Sequence, residues 1–231
     1  MTPPAVKVLI VDDDDLVRDG LSAVLSSDQS IEVVDQVADG RRAIDRARFL
    51  RPDVVLMDVR MPELDGITAT RELLAVVPDA KVVILTTFEE DDYIFGALKA
   101  GASGFLLKRT PRADLIAAIH AVAGGEGLLS PSVTRRVIDR MAQQPLIGGG
   151  HDPRLEEITA REREVLTLIG QGLTNQEISA ALFVEETTVK THVRRILMKL
   201  HLRDRVHAVI FAYESGLVQA GAATESGPGE F

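Results

Sequence analysis

Five polar side chains suited to phosphoryl chemistry stand at the ends of apolar runs in the first half of the chain. Asp12 and Asp13 follow one run, Asp58 and Thr86 each follow another, and Lys108 follows a fourth. Carboxylates can hold Mg²⁺, one carboxylate can accept a phosphoryl group, and an amine can neutralise that group. Because the five residues are far apart in the sequence, this chemistry requires a fold that brings them together.

Five apolar runs that alternate with helix-like segments predict such a fold. The runs cover residues 6–11, 31–37, 54–57, 82–85 and 104–107. Continuous apolar runs are typical of parallel strands buried on both faces, and their alternation with helices is typical of a doubly wound sheet. We therefore predict an α/β, flavodoxin-like (βα)5 domain with strand order 2-1-3-4-5 and a site at the carboxyl ends of its strands.

The four consecutive aspartates at positions 12–15 divide into two pairs. In the predicted sheet Asp12 and Asp13 reach the rim where the other site residues end. Asp14 and Asp15 fall at the start of the next helix, where carboxylates cap free N–H groups and face the positive end of the helix dipole. We expect the first pair to bind metal and the second pair to stabilise the helix.

The joint spacing of these motifs resembles that of a known family. The segments "VDD", "LMDVRMPELDG", "ILTTF" and "GFLLK" resemble the receiver domain of two-component response regulators, over nearly all of residues 6–124. The resemblance implies Mg²⁺ as cofactor and Asp58 as phosphoacceptor and metal ligand. The other implied roles are Asp13 as a direct metal ligand, Asp12 as a ligand through water, the backbone carbonyl of Arg60 as a further ligand, Thr86 as the switch hydroxyl, Phe105 as the aromatic switch and Lys108 as the phosphoryl partner.

Three local signals concern turns near this site. The segment "PELDG" indicates a turn before a helix, so we expect Asp65 and Gly66 to be structural. Thr110 and Pro111 predict the cap and the first-turn residue of the last helix of the domain. Many receivers carry a proline directly after the lysine, whereas this chain has Arg109, which argues against a cis peptide there.

From residue 155 to about residue 218 the pattern is entirely helical. Capping boxes are predicted at Thr159 with Glu162 and at Thr174 with Glu177. A helix over about residues 175–182, a tight turn and a helix over about residues 187–200 indicate a helix-turn-helix unit. This small all-α domain follows the α/β domain.

The third of these helices is amphipathic, with an apolar stripe that contains Val189 and Val193. Thr191, Arg194 and Arg195 lie opposite the stripe, and Lys190 and Lys199 flank it. A basic helix face can enter the major groove of DNA. It can equally be the solvated face of a helical bundle, which composition alone favours.

A second resemblance favours the DNA-binding interpretation. The segment "LTNQEISAALFVEETTVKTHVRRILMKL" resembles the LuxR-type DNA-binding domain, and the two domains together resemble a NarL/FixJ-type response regulator. The resemblance implies that Lys190, Thr191 and Arg194 read base edges. Arg195, Lys199 and His192 are weaker candidates for phosphate contact, and His192 is more typical of a packing residue.

The resemblance also implies a homodimer. In the family the final helix, here about residues 204–215, forms the dimer contact, and Val209 and Tyr213 are its candidate residues. A two-fold dimer would meet DNA half-sites about one helical turn apart. Glu185 stands where relatives commonly carry a small hydroxyl residue, and its charge would repel nearby phosphates.

Composition limits the function further. The 231-residue chain contains no cysteine, which excludes disulfides, thiolate metal sites and a cysteine nucleophile. No segment reaches the roughly 18 consecutive apolar residues of a membrane span, and the N-terminus lacks the pattern of a secretory signal. A cytoplasmic location without membrane contact is therefore expected.

Charge is unevenly distributed within the net value of −9. Residues 151–231 carry twelve acidic and nine basic side chains, so this half is not generally basic. The segment 187–205, which we call the basic stripe, nevertheless holds six basic residues and one acidic residue. Local charge of this kind decides phosphate contact.

The expected organisation is a receiver domain at 1–124, a linker helix and flexible linker at 125–154, a helix-turn-helix domain at 155–220 and a disordered tail at 221–231. We expect a transcription regulator, not an enzyme. A sensor histidine kinase or a small phosphodonor would phosphorylate Asp58, and the change would favour a dimer bound to double-stranded DNA.

Two alternatives remain open. A phosphohydrolase of the haloacid dehalogenase type also uses an aspartate nucleophile with Mg²⁺. Those enzymes place a second aspartate two residues after the nucleophile, where this chain has Arg60. The other alternative is a DNA-binding regulator whose receiver no longer responds to phosphate, against which the complete set of site residues argues.

Overall fold

The chain divides into two compact units, with the boundary between Ser130 and Pro131. A computed structural model describes residues 4–87, 90–125, 127–129, 133, 136, 137, 140 and 152–218. The predicted flexible linker is therefore described only from residue 152, and the predicted disordered tail lies outside the described residues. Residues 133, 136, 137 and 140 of the predicted linker helix are helical. Among the described residues, no helix is both long enough and apolar enough to cross a membrane.

The first unit is a parallel sheet with helices between successive strands. Its elements are β1 Val6–Val11, α1 Asp15–Leu25, β2 Ile31–Val37, α2 Gly40–Leu50, β3 Val54–Asp58, α3 Gly66–Val76, β4 Lys81–Thr86, α4 Asp91–Lys99, β5 Gly104–Leu107, α5 Arg112–Ala123 and β6 Leu128–Leu129. The strand order is β2-β1-β3-β4-β5-β6. The flavodoxin-like fold class and the order of the first five strands are confirmed. The sixth strand was missed, because two residues show no periodicity.

Both faces of the sheet are buried, as the continuous apolar runs predict. On one face, β-strand residues such as Val8, Ile10 and Leu56 pack against α1 and α5 through Leu25 and Ile119. Alternate strand residues such as Leu9, Val55, Met57 and Ile84 point to the opposite face and are fully buried there. This double burial fixes the strand register, and the register fixes which residues reach the rim.

The helix that follows β1 begins as the aspartate pattern predicts. The Asp14 carboxylate accepts hydrogen bonds from the backbone N–H groups of Leu16 at 2.9 Å and Val17 at 3.3 Å. Asp15 forms an ion pair with Arg18, three residues further along the helix. The prediction that the second pair of aspartates stabilises this helix is therefore confirmed.

Two other helix starts near the rim differ in outcome. Asp65 caps α3, accepting from the N–H groups of Ile67 and Thr68 at 3.0 Å each, as predicted. Helix α5 begins at Arg112, so Pro111 occupies the N-cap position and provides no side-chain cap. The predicted start was one residue too early. All described peptide bonds are trans, as Arg109 led us to expect.

The second unit is all-helical. A short 3-10 turn at Pro153–Glu156 precedes α6 Ala160–Gly170, α7 Asn175–Leu182, α8 Glu186–Lys199 and α9 Arg205–Glu214. Both predicted capping boxes are present, at the starts of α6 and α7. The apolar stripe of α8 is buried in a common core with residues of the other three helices, among them Leu166, Ile178 and Phe211.

The turn between α7 and α8 is held by side chains from the preceding helices. Ser179 Oγ donates to the carbonyl oxygen of Val184 at 2.5 Å, and Arg161 Nη2 donates to the carbonyl oxygen of Leu182 at 3.0 Å. Phe183 lies in the left-handed region, with φ 54°, where it ends α7. These contacts fix the turn that the helix-turn-helix interpretation requires.

Gly66 is required by the close approach of α3 to β3, and its replacement should destabilise the receiver unit. A Cβ atom at this position would lie 1.8 Å from the carbonyl oxygen of Asp58. Because that neighbour is backbone, relief requires the strand or the helix to move. We expect Gly66→Ala to lower the free energy of unfolding by about 3 kcal/mol, the upper end of overpacking costs.

Chemical denaturation measures this effect, and Gly20→Ala is the matched control. A Cβ at Gly20, inside α1, meets nothing within 4 Å. Alanine is the better helix former, so the control should gain roughly 0.5–1 kcal/mol. Equal stability of the Gly66 variant and the unchanged protein would contradict the packing described for α3.

Candidate functional site

The register of the sheet brings the ends of β3, β4 and β5 together. Asp58, the last residue of β3, pairs with Leu85 of β4, and Thr86 follows Leu85 as the last residue of that strand. The backbone N–H of Lys108 donates to the carbonyl oxygen of Thr86 at 2.8 Å. Three of the predicted site residues are therefore adjacent at the carboxyl ends of neighbouring strands.

The side chains meet around the ammonium group of Lys108. Its Nζ donates a hydrogen bond to Asp58 Oδ2 at 2.8 Å and lies 2.6 Å from Asp12 Oδ2. One carboxylate oxygen from each of Asp12, Asp13 and Asp58 lies within 4.8 Å of the others. Asp12 and Asp58 are buried, whereas Asp13 is exposed. The structure thus brings together the four charged side chains that the sequence pointed to.

Burial changes the pKa values of the charged groups in this cluster. Burial raises the pKa of Asp58 above its ordinary value, and the neighbouring Asp12 carboxylate adds to the rise, while Lys108 offsets only part of it. For Lys108, burial alone would lower the pKa, but Asp12 and Asp58 outweigh burial and raise it. One ammonium therefore does not fully compensate the carboxylates, and a further cation would be stabilised here.

The orientation of Asp12 supports a fit to Mg²⁺. Its Oδ1 accepts from the backbone N–H of Asp14 at 3.1 Å. Its Oδ2 is buried and, among the residues that the structure describes, has no well-aligned hydrogen-bond donor, although Lys108 Nζ is close. A buried carboxylate oxygen without an aligned donor, beside two further carboxylates, suits a hard cation that prefers oxygen ligands.

Arg60 lies two residues after Asp58, in the loop that follows β3. Its side chain extends towards α4, where Nε donates to the Tyr93 hydroxyl at 3.2 Å and Nη2 lies 3.3 Å from Glu90 Oε1. The guanidinium carbon is 5.3 Å from the centre of the Tyr93 ring. The role predicted for the Arg60 carbonyl as a metal ligand stays a prediction.

Both predicted switch residues are buried. Thr86 is 1% exposed at the end of β4, and Phe105 is 1% exposed in β5. Phe105 Cα pairs with Ile84 in the sheet register, two residues before Thr86. The two residues therefore lie on adjacent strands, and their switching role stays a prediction.

One residue that supports the site was missed by the sequence reasoning. Arg18 Nη1 donates to the backbone carbonyl oxygen of Asp12 at 2.5 Å, while Nη2 pairs with the Asp15 carboxylate. The guanidinium is largely buried and ties the β1–α1 turn to the first turn of α1. The spacing of Asp15 and Arg18 on one helix face was the available signal, but it does not reveal the bond to the Asp12 carbonyl.

The candidate DNA-binding surface is the exposed face of α8. Lys190, Thr191, Arg194 and Arg195 are all exposed. Lys190 Nζ lies 3.1 Å from Glu186 Oε1, one turn earlier. Within the described part of the chain, Arg194 and Arg195 form no ion pair, so their guanidinium groups are available to phosphates and base edges.

Two flanking residues of α8 are placed differently from that group. Lys199 Nζ lies 2.7 Å from the buried carboxylate of Glu162, on α6. His192 is partly buried, and its buried Nδ1 has no hydrogen-bond partner in the described part of the chain, which agrees with its interpretation as a packing residue. Lys199 therefore forms an ion pair within the helical domain. The sequence pattern placed it among the candidate phosphate contacts.

The two residues predicted for a dimer contact are both buried. Val209 is 5% exposed and Tyr213 is 6% exposed, and both belong to the core of the helical domain. Their side chains pack within that core, and their role in a dimer contact stays a prediction.

Comparisons with known proteins agree with this geometry. Residues 8–120 match the family described as response regulator receiver domains, and residues 156–212 match bacterial regulatory proteins of the LuxR family. The response regulator protein VraR of Staphylococcus epidermidis is 41% identical over 215 residues, which cover 93% of this chain and 100% of VraR.

Solved structures give the same result. The response regulator ChrA of a heme-sensing two-component system is 36% identical, with a TM-score of 0.51, over 94% of this chain and 100% of that chain. RcsB in complex with DNA aligns over 91% of this chain and 98% of its own, with a TM-score of 0.53. At 22% identity, that second likeness concerns the fold alone. The chain belongs to the two-component response regulators that join a receiver domain to a LuxR-type DNA-binding domain.

Proposed function

We propose that Mg²⁺-dependent phosphorylation of Asp58 controls dimerisation and DNA binding, and through them transcription. The observation that carries this proposal is the contact of Lys108 Nζ with both Asp58 and Asp12, at 2.8 and 2.6 Å, beside the exposed Asp13. A nucleophilic carboxylate, an amine and additional metal-binding carboxylates are the groups that phosphoryl transfer to an aspartate needs.

Asp58 is the nucleophile in this scheme. A carboxylate oxygen forms a bond to the phosphorus of the donor while the bond from phosphorus to the donor's leaving group breaks, and the electron pair departs with that group. The donor is a phosphohistidine of a sensor kinase or a small acyl phosphate. Bound Mg²⁺ supplies neutralisation of the phosphoryl oxygens, and Asp12, Asp13, Asp58 and the Arg60 carbonyl would hold it.

Lys108 and Thr86 respond to the new charge. Lys108, which pairs with two carboxylates before the reaction, exchanges one of them for a phosphoryl oxygen. The Thr86 hydroxyl turns towards the same group, and Phe105 repacks in the space behind it. Such a change is a two-state equilibrium that the added charge biases.

The output is a change in DNA occupancy. Lys190, Thr191 and Arg194 read base edges in the major groove, Arg195 contacts phosphate, and two copies related by two-fold symmetry meet half-sites about one helical turn apart. DNA and a sensor kinase as partners imply a cytoplasmic location. Turnover as a haloacid dehalogenase is disfavoured, because the position of its acid/base aspartate is Arg60, whose side chain pairs with Glu90.

Phosphorylation can be tested by mass spectrometry after incubation with acetyl phosphate. We expect a mass increase of one phosphoryl group that requires Mg²⁺ and is absent in Asp58→Asn, because an amide oxygen is not a nucleophile of this kind. Asp19→Asn is the matched control, since Asp19 is an exposed aspartate on α1. A Mg²⁺-dependent increase that persists in Asp58→Asn would contradict the assignment.

DNA readout can be tested with Arg194→Ala. The probe is a duplex that the unchanged, phosphorylated chain selects from a random-sequence pool. We expect the variant to lose about 1–3 kcal/mol of binding free energy for this duplex. Its preference at one base position should also be relaxed. Fluorescence anisotropy and repeated selection measure the two effects. Arg71→Ala, which removes an exposed arginine of the receiver domain, is the control. Unchanged affinity and unchanged base preference would remove Arg194 from the reading face.

A further inference from the structure

A half-buried ion pair joins the last turn of α8 to the first turn of α6. Lys199 Nζ lies 2.7 Å from Glu162 Oε2. The Glu162 side chain is 3% exposed, whereas that of Lys199 is 37% exposed. The same carboxylate oxygen accepts the backbone N–H of Thr159 at 2.8 Å. Glu162 therefore belongs at once to the capping box of α6 and to a tie with the recognition helix.

We infer that Lys199 is a positioning residue, which acts through Glu162 to set the placement of α8 on α6, and is not a DNA phosphate contact. The inference rests on the proposed role of α8 in DNA recognition. The inference gives the Lys199–Glu162 pair a positioning role. The basic pattern of α8 alone would instead suggest that Lys199 faces DNA.

The position of Lys199 along the helix supports this assignment. In helix-turn-helix proteins the N-terminal residues of the recognition helix contact base edges. Lys199 is the last residue of α8, nine residues after Lys190. At a rise of 1.5 Å per residue it lies about 14 Å further along the axis. The lysine therefore stands at the end of the helix that is more remote from the reading residues.

The cost of breaking the pair supports it as well. If Lys199 turned to a phosphate, the Glu162 carboxylate would keep its backbone donor but lose its counter-ion in a buried environment. Leaving a buried carboxylate without its counter-ion is destabilising, and this cost would offset the gain from a phosphate contact. The pair is consequently expected to persist when DNA binds.

A second cation of the basic stripe is turned inward in a similar way. Arg205 Nη1 donates to Asn175 Oδ1 at 2.8 Å, and Nη2 donates to the carbonyl oxygen of Leu173. These bonds tie the start of α9 to the start of α7. Arg194 and Arg195, by contrast, are exposed and form no ion pair within the described residues. The basic stripe thus contains cations that bind other parts of the helical domain and cations that are exposed.

The experiment compares specific with non-specific binding of the full, phosphorylated chain. The specific probe is a duplex selected from a random-sequence pool by the unchanged chain, and the non-specific probe is a scrambled duplex of the same length. Dissociation constants for both come from fluorescence anisotropy at several salt concentrations. The variants are Lys199→Gln, Glu162→Gln, their double variant, Lys199→Arg and Arg195→Gln.

Misplacement of α8 should harm specific binding selectively. We expect Lys199→Gln and Glu162→Gln each to lower the specific-to-non-specific affinity ratio by about tenfold, which corresponds to 1.4 kcal/mol. The dependence of their affinities on salt concentration should stay unchanged. The affinity ratio of the double variant should be no lower than that of the single variant with the lower ratio. Lys199→Arg, which retains the ion pair, should retain the ratio.

Arg195→Gln is the matched control for a true phosphate contact. It should weaken binding to both duplexes alike and reduce the salt slope by about one. If Lys199→Gln behaves like Arg195→Gln, the inference is wrong.

Loss of folded protein cannot imitate the expected result, because it lowers both affinities by the same factor. An unchanged ratio in Lys199→Gln or in Glu162→Gln, for whatever cause, therefore overturns the inference. If the unchanged chain selects no duplex at all, the proposed DNA recognition fails, and this inference fails with it. If selection succeeds and Arg194→Ala impairs it while the ratio stays unchanged in the Lys199 and Glu162 variants, only the inference fails.

Discussion

Three carboxylates crowd one ammonium group at the rim of the sheet, and the receiver domain is built around that unfavourable concentration of negative charge. Two of the carboxylates, Asp12 and Asp58, are buried, and burial raises the pKa of Asp58. The arrangement is held by packing elsewhere. The strands are fixed by apolar contacts on both faces, Gly66 lets α3 approach the Asp58 carbonyl, and Arg18 binds the Asp12 carbonyl. An added cation can relieve a charge imbalance of this kind.

The helical domain uses charged and polar groups for a different purpose. Glu162 with Lys199 joins α6 to α8, Ser179 and Arg161 hold the turn before α8, and Arg205 joins α9 to α7. These bonds support the orientation of one helix whose apolar stripe is buried in the core. What remains outside is a short set of cations on the exposed face of α8. A small domain with net negative charge can therefore still present a basic surface to DNA.

Much of this could be predicted from the sequence, for identifiable physical reasons. Continuous apolar runs predicted three strands to the residue, and parallel pairing then required Asp58 and Lys108 to meet. Short or ambiguous signals failed: β6 has two residues, and Pro111 fits two adjacent helix positions. The direction of Lys199 could not be predicted, because a helical wheel does not reveal a carboxylate on another helix. The burial of Val209 and Tyr213 could not be predicted, because α9 is apolar on most sides and no exposed face stands out.

The central claim is that Asp12, Asp13 and Asp58 hold Mg²⁺ beside Lys108. Its most direct test is thermal unfolding of the full chain over a series of Mg²⁺ concentrations. A ligand that binds only the folded state raises the Tm with its concentration. We expect the Tm of the unchanged chain and of the Asp19→Asn control to rise with Mg²⁺ concentration. Without Mg²⁺, the Tm of Asp12→Asn should be higher than that of the unchanged chain. Added Mg²⁺ should not change the Tm of Asp12→Asn. An equal response of Asp12→Asn and the unchanged chain would contradict the account.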